Sequence, residues 1–299
     1  MVHRLGHLHY ALTLLLVAAC GDDGASMDAD TDADTSEEPE ALEPRVQILD
    51  SSELDPIDAG LRIVDVRSTA EYEAEHLPGA VHLEPARLRA TVDDVAGQVA
   101  PPADVEAAFE EAGLAPNDDV LVYGPGNTTD VARVAWTLAY HGHTGRVWML
   151  DGGIDAWVEG GGATESGPVG EAEASRYDSA LDSRLRVDAD WILEHLDDST
   201  VHLYDARAPD EFFAGHIPGA INVNWSTTVG DDGRFLGEAQ LRELHDSPAQ
   251  GDTLVAYCQT GSRASVTWLV LTSLGYTDVR LYDGSWTEWG ADPDLPREP

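Results

Sequence analysis

A cysteine near the end of the chain stands in a pattern that can activate a thiol. Cys258 follows the apolar run 254–257 and opens the polar loop 259–263, after which apolar residues recur at helical spacing over 266–274. A strand, a loop and a helix in this order bring backbone N–H groups and the positive end of a helix dipole to the sulfur. That setting favours the nucleophilic thiolate. Because the loop is polar, we also expect that Cys258 is not buried in apolar surroundings.

The composition limits both the size and the partners of the protein. With 299 residues, 42% of them hydrophobic, the chain can form about two domains with apolar cores. Its formal net charge is −39, and its basic residues other than histidine are all arginines. Such a surface repels nucleic acid and anionic lipid, so we expect no nucleic-acid partner. A binding site for an anion must therefore be built locally, from arginines and backbone N–H groups.

The first residues form a targeting segment rather than part of the fold. Residues 1–19 contain an early arginine and a short apolar stretch that ends in small residues, which predicts a signal peptide. The stretch is shorter than the ~20 residues of a membrane span. Val-Ala-Ala-Cys-Gly at 17–21 resembles the lipobox of bacterial lipoproteins, which implies cleavage before Cys20 and lipidation of that cysteine; ordinary signal-peptidase cleavage is the alternative. We therefore predict a protein of the cell envelope or periplasm, held to the membrane only by the lipid on Cys20.

An acidic segment separates this leader from the first domain. Residues 22–40 contain nine acidic residues and no basic one. That composition cannot bury enough apolar surface to fold, so residues 20–44 are predicted to form a disordered tether. The chain has two cysteines, Cys20 and Cys258, and a disulfide between them is conceivable. If Cys20 carries lipid, Cys258 is a free thiol in an exported protein, which makes it a candidate for reactivity.

The rest of the chain is a duplication. The segment 65–81 contains Asp-x-Arg, then Glu-Tyr and His-Leu-Pro-Gly-Ala, and a close copy with Glu-Phe and His-Ile-Pro-Gly-Ala lies at 205–221. Short apolar runs, such as 120–123 and 254–257, alternate with helical patterns in both halves. This alternation indicates an α/β fold with a largely parallel sheet in each half. Ligands bind such sheets at the carboxyl ends of the strands, which is where Cys258 is predicted to lie.

These paired motifs, together with Tyr-Cys-Gln-Thr-Gly-Ser-Arg in the loop, resemble the tandem-domain rhodaneses, the thiosulfate sulfurtransferase family. The resemblance extends over about residues 45–290. It implies two rhodanese-like domains, each a mainly parallel sheet flanked by helices. We place these domains at 45–162 and 187–293, with a linker at 163–186. Gly124 stands where the second domain has its cysteine, so the first domain is predicted to be inactive and the second to be catalytic.

The resemblance also implies sulfur transfer through the cysteine. Cys258 would take sulfane sulfur from a small anionic donor such as thiosulfate, hold it as a persulfide and pass it to a thiophilic acceptor such as cyanide or a thiol. Arg263, at the junction of loop and helix, is the predicted clamp for the donor. No cofactor and no metal are predicted. The other loop residues predicted to bind the substrate are Gln259, Thr260, Gly261 and Ser262.

The duplication also serves as an internal control for the remaining polar residues. Arg207 matches a family position that often contacts substrate, but Arg67 occupies the same place in the inactive half, so substrate contact and packing are equally open for it. Other residues with counterparts in the inactive half are predicted to have turn and packing roles. These are Asp205, Glu211 and His216.

Three alternative functions are open. A 3-mercaptopyruvate sulfurtransferase would use the same cysteine, but Gln259 and Arg263 replace smaller residues typical of that loop, which favours thiosulfate. A phosphatase or arsenate reductase of a related fold would need a Cys-x5-Arg loop around a tetrahedral oxyanion, and this loop is one residue shorter. A non-catalytic persulfide or redox sensor at the cell surface needs only the activated thiol.

Overall fold

The computed structural model describes residues 46–53, 60–170 and 172–299. The predicted signal peptide and acidic tether, including Cys20, lie outside these residues, and their prediction stays a prediction. Across the three described ranges, no helix is both long enough and apolar enough to span a bilayer.

The first half of the described chain is built on a five-stranded parallel sheet in the order β1-β7-β6-β2-β3. A separate antiparallel hairpin, β4-β5, leaves this sheet. Its strands are β1 Val46–Leu49, β2 Leu61–Asp65, β3 Val81–His82, β4 Arg89–Val92, β5 Val95–Val99, β6 Asp119–Tyr123 and β7 Val147–Leu150. Its helices are α1 Thr69–Ala74, α2 Pro102–Glu111, α3 Thr129–Tyr140 and α4 Gly153–Glu159.

The second half repeats this plan with a five-stranded parallel sheet in the order β10-β9-β11-β12-β8. Its strands are β8 Arg186–Val187, β9 Val201–Asp205, β10 Ile221–Asn222, β11 Thr253–Tyr257 and β12 Val279–Tyr282. Its helices are α5 Ala189–His195, α6 Pro209–Phe213, α7 Glu238–Leu244, α8 Ser262–Ser273 and α9 Ser285–Trp289. The two parallel sheets flanked by helices confirm the predicted α/β fold class.

Strands β6 and β11 occupy the middle of their sheets. The side chains of 120–123 and 254–257 are buried throughout. A central parallel strand is covered on both faces, so its sequence is a continuous apolar run and does not alternate with polar residues. Each of these two strands is followed by a short loop and a long helix, which places the two loops at equivalent positions of the two sheets.

The two halves share one hydrophobic cluster. Helix α3 of the first half packs directly against α8 of the second. Trp136 on α3 and Trp268 on α8 are both buried in this cluster. The loops that precede these helices are therefore held by packing that crosses from one half to the other.

Each half also extends a hairpin toward the other half. The β4-β5 hairpin ends at Val99, whose N–H donates to Asp283 Oδ2 in the second half at 2.7 Å. The second half has a matching hairpin closed by the bridge between Val229 and Phe235. The N–H of Phe235 donates to Asp151 Oδ1 in the first half at 3.0 Å. Each hairpin thus contacts an aspartate of the opposite half. That aspartate directly follows the strand that comes last in the sequence of the opposite sheet.

Candidate active site

Cys258 lies at the carboxyl end of the central strand β11, where the chain leaves the sheet. Residues 258–261, called the cysteine loop below, connect β11 to α8. The loop ends at Gly261, which has a φ of +80° and is the N-cap of α8. Glycine adopts this left-handed conformation without steric cost. The turn therefore starts α8 at Ser262, four residues after the cysteine.

The cysteine loop is held in place by the start of α9. The N–H of Cys258 donates to Ser285 Oγ at 3.2 Å, and its carbonyl oxygen accepts the N–H of Trp286 at 3.0 Å. The carbonyl oxygen of Gln259 accepts both the N–H and the hydroxyl of Thr287, at 3.0 and 2.7 Å. These bonds tie the backbone of the loop to the start of α9.

The expectation that Cys258 avoids apolar burial was wrong. The residue is 1% exposed and belongs to the hydrophobic cluster shared by α3 and α8. The polar sequence after Cys258 predicted a more solvent-exposed position. However, β11 is the central strand of its sheet, and the packing that covers this strand also covers Cys258, the first residue of the loop. Cys258 is a free cysteine with apolar neighbours and a polar loop above it.

The loop amides form the polar side of this site. Within the described ranges, no group accepts a hydrogen bond from the amides of residues 259–263. Four amides at a helix start have no partner inside the helix, and they combine with the helix dipole to attract negative charge. An anion at Cys258, whether a thiolate, a persulfide or a bound oxyanion, would find donors here that need no rearrangement.

Arg263 brings a positive charge to the same site. Its Nη1 and Nη2 donate to the two oxygens of Glu211 at 2.6 and 2.8 Å, and its side chain keeps one quarter of its surface exposed. The bonds to the Glu211 carboxylate raise the pKa of Arg263, and the charge of a neighbouring Cys258 thiolate raises it further. Arg263 in turn lowers the pKa of Glu211. The predicted clamp thus lies beside the sulfur, with Glu211 as its fixed partner.

The remaining loop residues lie around the cysteine in different roles. Gln259 Nε2 donates to Thr287 Oγ1 at 3.2 Å. Thr260 lies against the backbone of Gly97 from the β4-β5 hairpin, where an added Cβ would stand 2.8 Å from Thr260 Cβ. The carbonyl oxygen of Ser262 accepts the hydroxyl of Ser265 at 2.6 Å. The structure brings residues 258–263 together, while their predicted roles toward a substrate stay predictions.

Arg207 is placed differently from Arg263. It is 1% exposed, and its Nη2 donates to Asp205 Oδ2 at 2.6 Å and to the carbonyl oxygen of Gly215 at 2.7 Å. Burial alone lowers the pKa of Arg207, but the hydrogen bonds to the Asp205 carboxylate raise it overall. Its guanidinium also lies 4.5 Å from the centre of the Trp286 ring. This geometry favours the packing role over substrate contact.

Some residues of the site have no prediction in the sequence. Ser285 and Asp283 are not among the residues that the sequence indicates, and Glu211 was predicted to have only a turn or packing role. The carboxylate of its counterpart Glu71 accepts the N–H and the hydroxyl of Ser68, just before α1. The signal that could have distinguished Glu211 is Arg263 itself, since the first half has no basic residue in the matching stretch 124–130 that would engage Glu71.

Fold and site together define a two-domain α/β protein with a buried cysteine at the carboxyl end of the central strand of its second sheet. A model of the rhodanese-like domain matches residues 49–160 and again residues 188–292, so the chain belongs to the rhodanese family.

Named relatives extend this assignment. The chain is 34% identical over 263 residues to the thiosulfate sulfurtransferase of Corynebacterium glutamicum, across 80% of this chain and 85% of that protein. It is 32% identical over 252 residues to the thiosulfate sulfurtransferase of Pseudomonas aeruginosa, across 80% of this chain and 91% of that protein.

Solved structures support the fold. The anaerobic ergothioneine biosynthesis enzyme from Chlorobium limicola, crystallised with trimethyl histidine, superposes with a TM-score of 0.73 at 23% identity, across 83% of this chain and 67% of that chain. At this identity the likeness shows a shared fold and carries no argument about substrate.

Proposed function

We propose that this protein is a sulfurtransferase that moves sulfane sulfur from thiosulfate, or a related donor, to a thiophilic acceptor through a persulfide on Cys258. The observation that carries the proposal is that the amides of residues 259–263, which directly follow the cysteine, have no hydrogen-bond acceptor among the described residues. The names of the relatives from Corynebacterium glutamicum and Pseudomonas aeruginosa point to the same reaction class.

The first half-reaction transfers sulfur to the enzyme. The Cys258 thiolate attacks the outer sulfur of thiosulfate, a new S–S bond forms, and the original S–S bond breaks with its electron pair leaving on sulfite. Negative charge lies on the sulfur and on the departing sulfite throughout this step. The open amides stabilise that charge without having to reorient, which is the contribution expected of a preorganised loop.

The second half-reaction returns the enzyme to its starting state. The carbon of cyanide, or the sulfur of a thiol, attacks the outer sulfur of the persulfide, and the persulfide S–S bond breaks with its electrons on Cys258. Cyanide leaves as thiocyanate, and a thiol leaves as a persulfide. The cycle therefore regenerates the thiolate and needs no external oxidant or reductant.

Arg263 and Glu211 support an anionic donor in this scheme. A guanidinium binds the oxygens of a sulfonate-like group through a planar pair of N–H donors. Glu211 holds this guanidinium beside Cys258 and also partly neutralises it, so the donor competes with a resident carboxylate. We propose thiosulfate as the preferred donor because Gln259 and Arg263 replace the smaller residues typical of the 3-mercaptopyruvate loop, and 3-mercaptopyruvate is the alternative that the same cysteine could serve.

Turnover with two donors tests the proposal. The full chain is expected to form thiocyanate from thiosulfate and cyanide, Cys258→Ala is expected to abolish it, and Cys20→Ala serves as the matched cysteine control with unchanged activity. Parallel assays with 3-mercaptopyruvate decide the donor. Full activity in Cys258→Ala would refute the mechanism, and stoichiometric persulfide without turnover would support a sensor instead.

We further propose that the protein is exported and anchored in the cell envelope through lipid on Cys20. The sequence at 17–21 supports this, and residues 20–44 would separate the lipid from the first domain. In cells expressing the full chain, the protein is expected in the membrane fraction and Cys20→Ala in the soluble periplasmic fraction. Equal distribution of both forms would contradict the anchor.

A further inference from the structure

A buried ion pair below the cysteine loop joins the two halves of the chain. Arg133 Nη1, from α3 of the first half, donates to Asp283 Oδ1 at 2.7 Å, and both side chains are fully buried. The other oxygen, Asp283 Oδ2, accepts the N–H of Val99 at 2.7 Å and lies 3.8 Å from Arg186 Nε. The first half therefore holds both oxygens of a carboxylate that belongs to the second half.

This ion pair is in direct contact with the cysteine loop. A Cβ added to Gly261 would stand 2.6 Å from Asp283 Oδ1 and 2.9 Å from Arg133 Nη1. The backbone of Gly261 thus packs against these two charged groups, and Gly261 has a φ of +80° at this contact. Because Gly261 starts α8, any displacement of the pair also displaces the open amides of 259–263.

The matching loop of the first half shows which group Arg133 replaces. In that loop the fourth residue, Asn127, donates from Nδ2 to Asp151 Oδ1 at 2.6 Å. Asp151 is the counterpart of Asp283, but the fourth residue of the cysteine loop is Gly261, which has no side chain to donate. Arg133 supplies this missing donor from the opposite half.

Stability alone does not explain the pair. Replacing a buried ion pair with apolar residues of similar size is often neutral or stabilising. Arg133 Nε is also buried without a hydrogen-bond partner in the described part of the chain, which costs further free energy. Val266 occupies the matching fifth position of α8, so the fold accepts an apolar residue at this place.

We propose that Arg133 is a positioning residue for the cysteine loop. Through Asp283 it holds Gly261 and so aims the open amides at Cys258. The first domain, which has no thiol, thereby becomes part of the machinery that makes the second domain reactive. The inference rests on the proposed function, because it assumes that Cys258 is the reacting group.

The variant Arg133→Met tests the inference in the full-length protein. We expect kcat for thiocyanate formation to fall about tenfold, because misplaced donors act poorly on the transition state. KM for thiosulfate is expected to change less than kcat, since the side chains of Arg263 and Glu211 are untouched. The rate at which iodoacetamide alkylates Cys258, measured by mass spectrometry of the digested protein, should fall as well.

Two further variants keep the test decisive if Arg133→Met folds poorly. Arg133→Met combined with Asp283→Asn removes the unpaired charge but keeps an acceptor for the N–H of Val99. Arg133→Lys keeps the charge and is expected to recover part of kcat. The matched control is Arg67→Met, which breaks the buried pair with Asp65 in the first half, away from the cysteine loop.

The outcomes separate positioning from general stability. A positioning role predicts that the folded double variant loses kcat and Cys258 alkylation, while Arg67→Met loses stability but keeps both per folded molecule. A folded double variant with wild-type kcat and alkylation would overturn the proposal. Alkylation reports on the cysteine directly, so this result is distinguishable from a failure of the sulfurtransferase proposal, which Cys258→Ala addresses.

Discussion

The two loops that follow the central strands occupy equivalent positions in the two halves, but different side chains fill the space inside them. In the first loop, residues 124–128, a Cβ on Gly124 would stand 2.8 Å from Val131 Cγ2 and 3.3 Å from Thr128 Oγ1. The space that holds the Cys258 side chain in the second half is thus filled by the loop's own neighbours. The first loop therefore differs from the second by more than the thiol, because Val131 and Thr128 occupy the space next to Gly124.

The two helices that follow these loops also differ in charge. The second residue of α8 is Arg263, which lies beside the cysteine. The second residue of α3 is Asp130, which is paired with Arg89. The second half therefore has a cation at this position, and the first half has a carboxylate. Under the proposed mechanism we expect reactivity to depend both on the loop interior and on the charge at the start of the following helix.

Moving the thiol to the first loop gives the largest expected effect. In a Cys258→Ala background, Gly124→Cys is expected to form no thiocyanate above the level of Cys258→Ala alone, because the added side chain meets Val131 and the helix start carries Asp130. Thiosulfate:cyanide assays on the purified proteins measure this. Recovered turnover would show that the thiol alone distinguishes the two loops.

Removing the cation from the second helix start is expected to have the next largest effect. Arg263→Leu should lower kcat/KM for thiosulfate by about one to two orders of magnitude, since a charge-assisted hydrogen bond contributes roughly 1.5–3 kcal/mol. Steady-state kinetics over a range of thiosulfate concentrations measure the change. Asp130→Asn, at the matching position of α3, should leave kcat/KM unchanged; equal losses in both variants would contradict a local role for Arg263.

The features readable from the sequence are those set by local patterns. Continuous apolar runs predicted β6 and β11, and helical spacing after Cys258 predicted α8 and the position of the cysteine at a strand end. The duplication also paired Arg207 with Arg67, and the Asp-x-Arg ion pair is present in both halves. The inferences about β6, β11 and α8 use residues that lie within about one element of one another, and the duplication compares two such local patterns.

The contacts that complete the site could not be read in this way. Val99 and Asp283 are far apart in sequence, and nothing near either residue indicates that a hairpin crosses between the halves. The burial of Cys258 has the same origin, because part of the cluster around it belongs to α3. Long-range packing between two similar halves leaves little trace in local periodicity.

The C-terminal ends of helices α3 and α8, which pack against each other, predict that acid lowers stability through α3 but not through α8. His141 is the C-cap of α3, and burial lowers its pKa from 6.5 to about 4, whereas the C-cap of α8 is Leu274. Below pH 6.5 the unfolded chain binds a proton here that the folded chain does not. Stability should therefore fall by about 3 kcal/mol as the pH falls from 6.5 to 4 through this residue.

This difference is tested by giving His141 of the first half the leucine that stands at the matching position of the second half. His141→Leu is expected to flatten the pH dependence of the free energy of unfolding between pH 6.5 and 4, measured by urea titration at each pH. Loss of the 2.8 Å bond between His141 Nδ1 and Ser179 Oγ adds a constant offset, which the difference at pH 8 defines. An unchanged slope would mean that His141 does not titrate as its burial implies.

The smallest expected effect concerns Ser285, whose hydroxyl oxygen accepts the hydrogen bond from the N–H of Cys258. Ser285 has a φ of +53°, unusual for a residue with a side chain, and the corresponding Gly153 has a φ of +60°. Ser285→Gly removes roughly 1 kcal/mol of backbone strain and a hydrogen bond of similar value, so the free energy of unfolding should change by less than about 1 kcal/mol. Because the amide of Cys258 loses its acceptor, kcat is still expected to fall a few-fold.

The reverse exchange shows why the two halves keep different residues at this position. A Cβ on Gly153 would stand 2.3 Å from the carbonyl oxygen of Gly124, so Gly153→Ser should destabilise the first half by more than ~2 kcal/mol. Urea unfolding of both variants, with kcat measured on the folded protein, separates the effects. If Ser285→Gly kept full kcat, Ser285 would be a packing residue, and the hydroxyl above Cys258 would have no part in distinguishing the two loops.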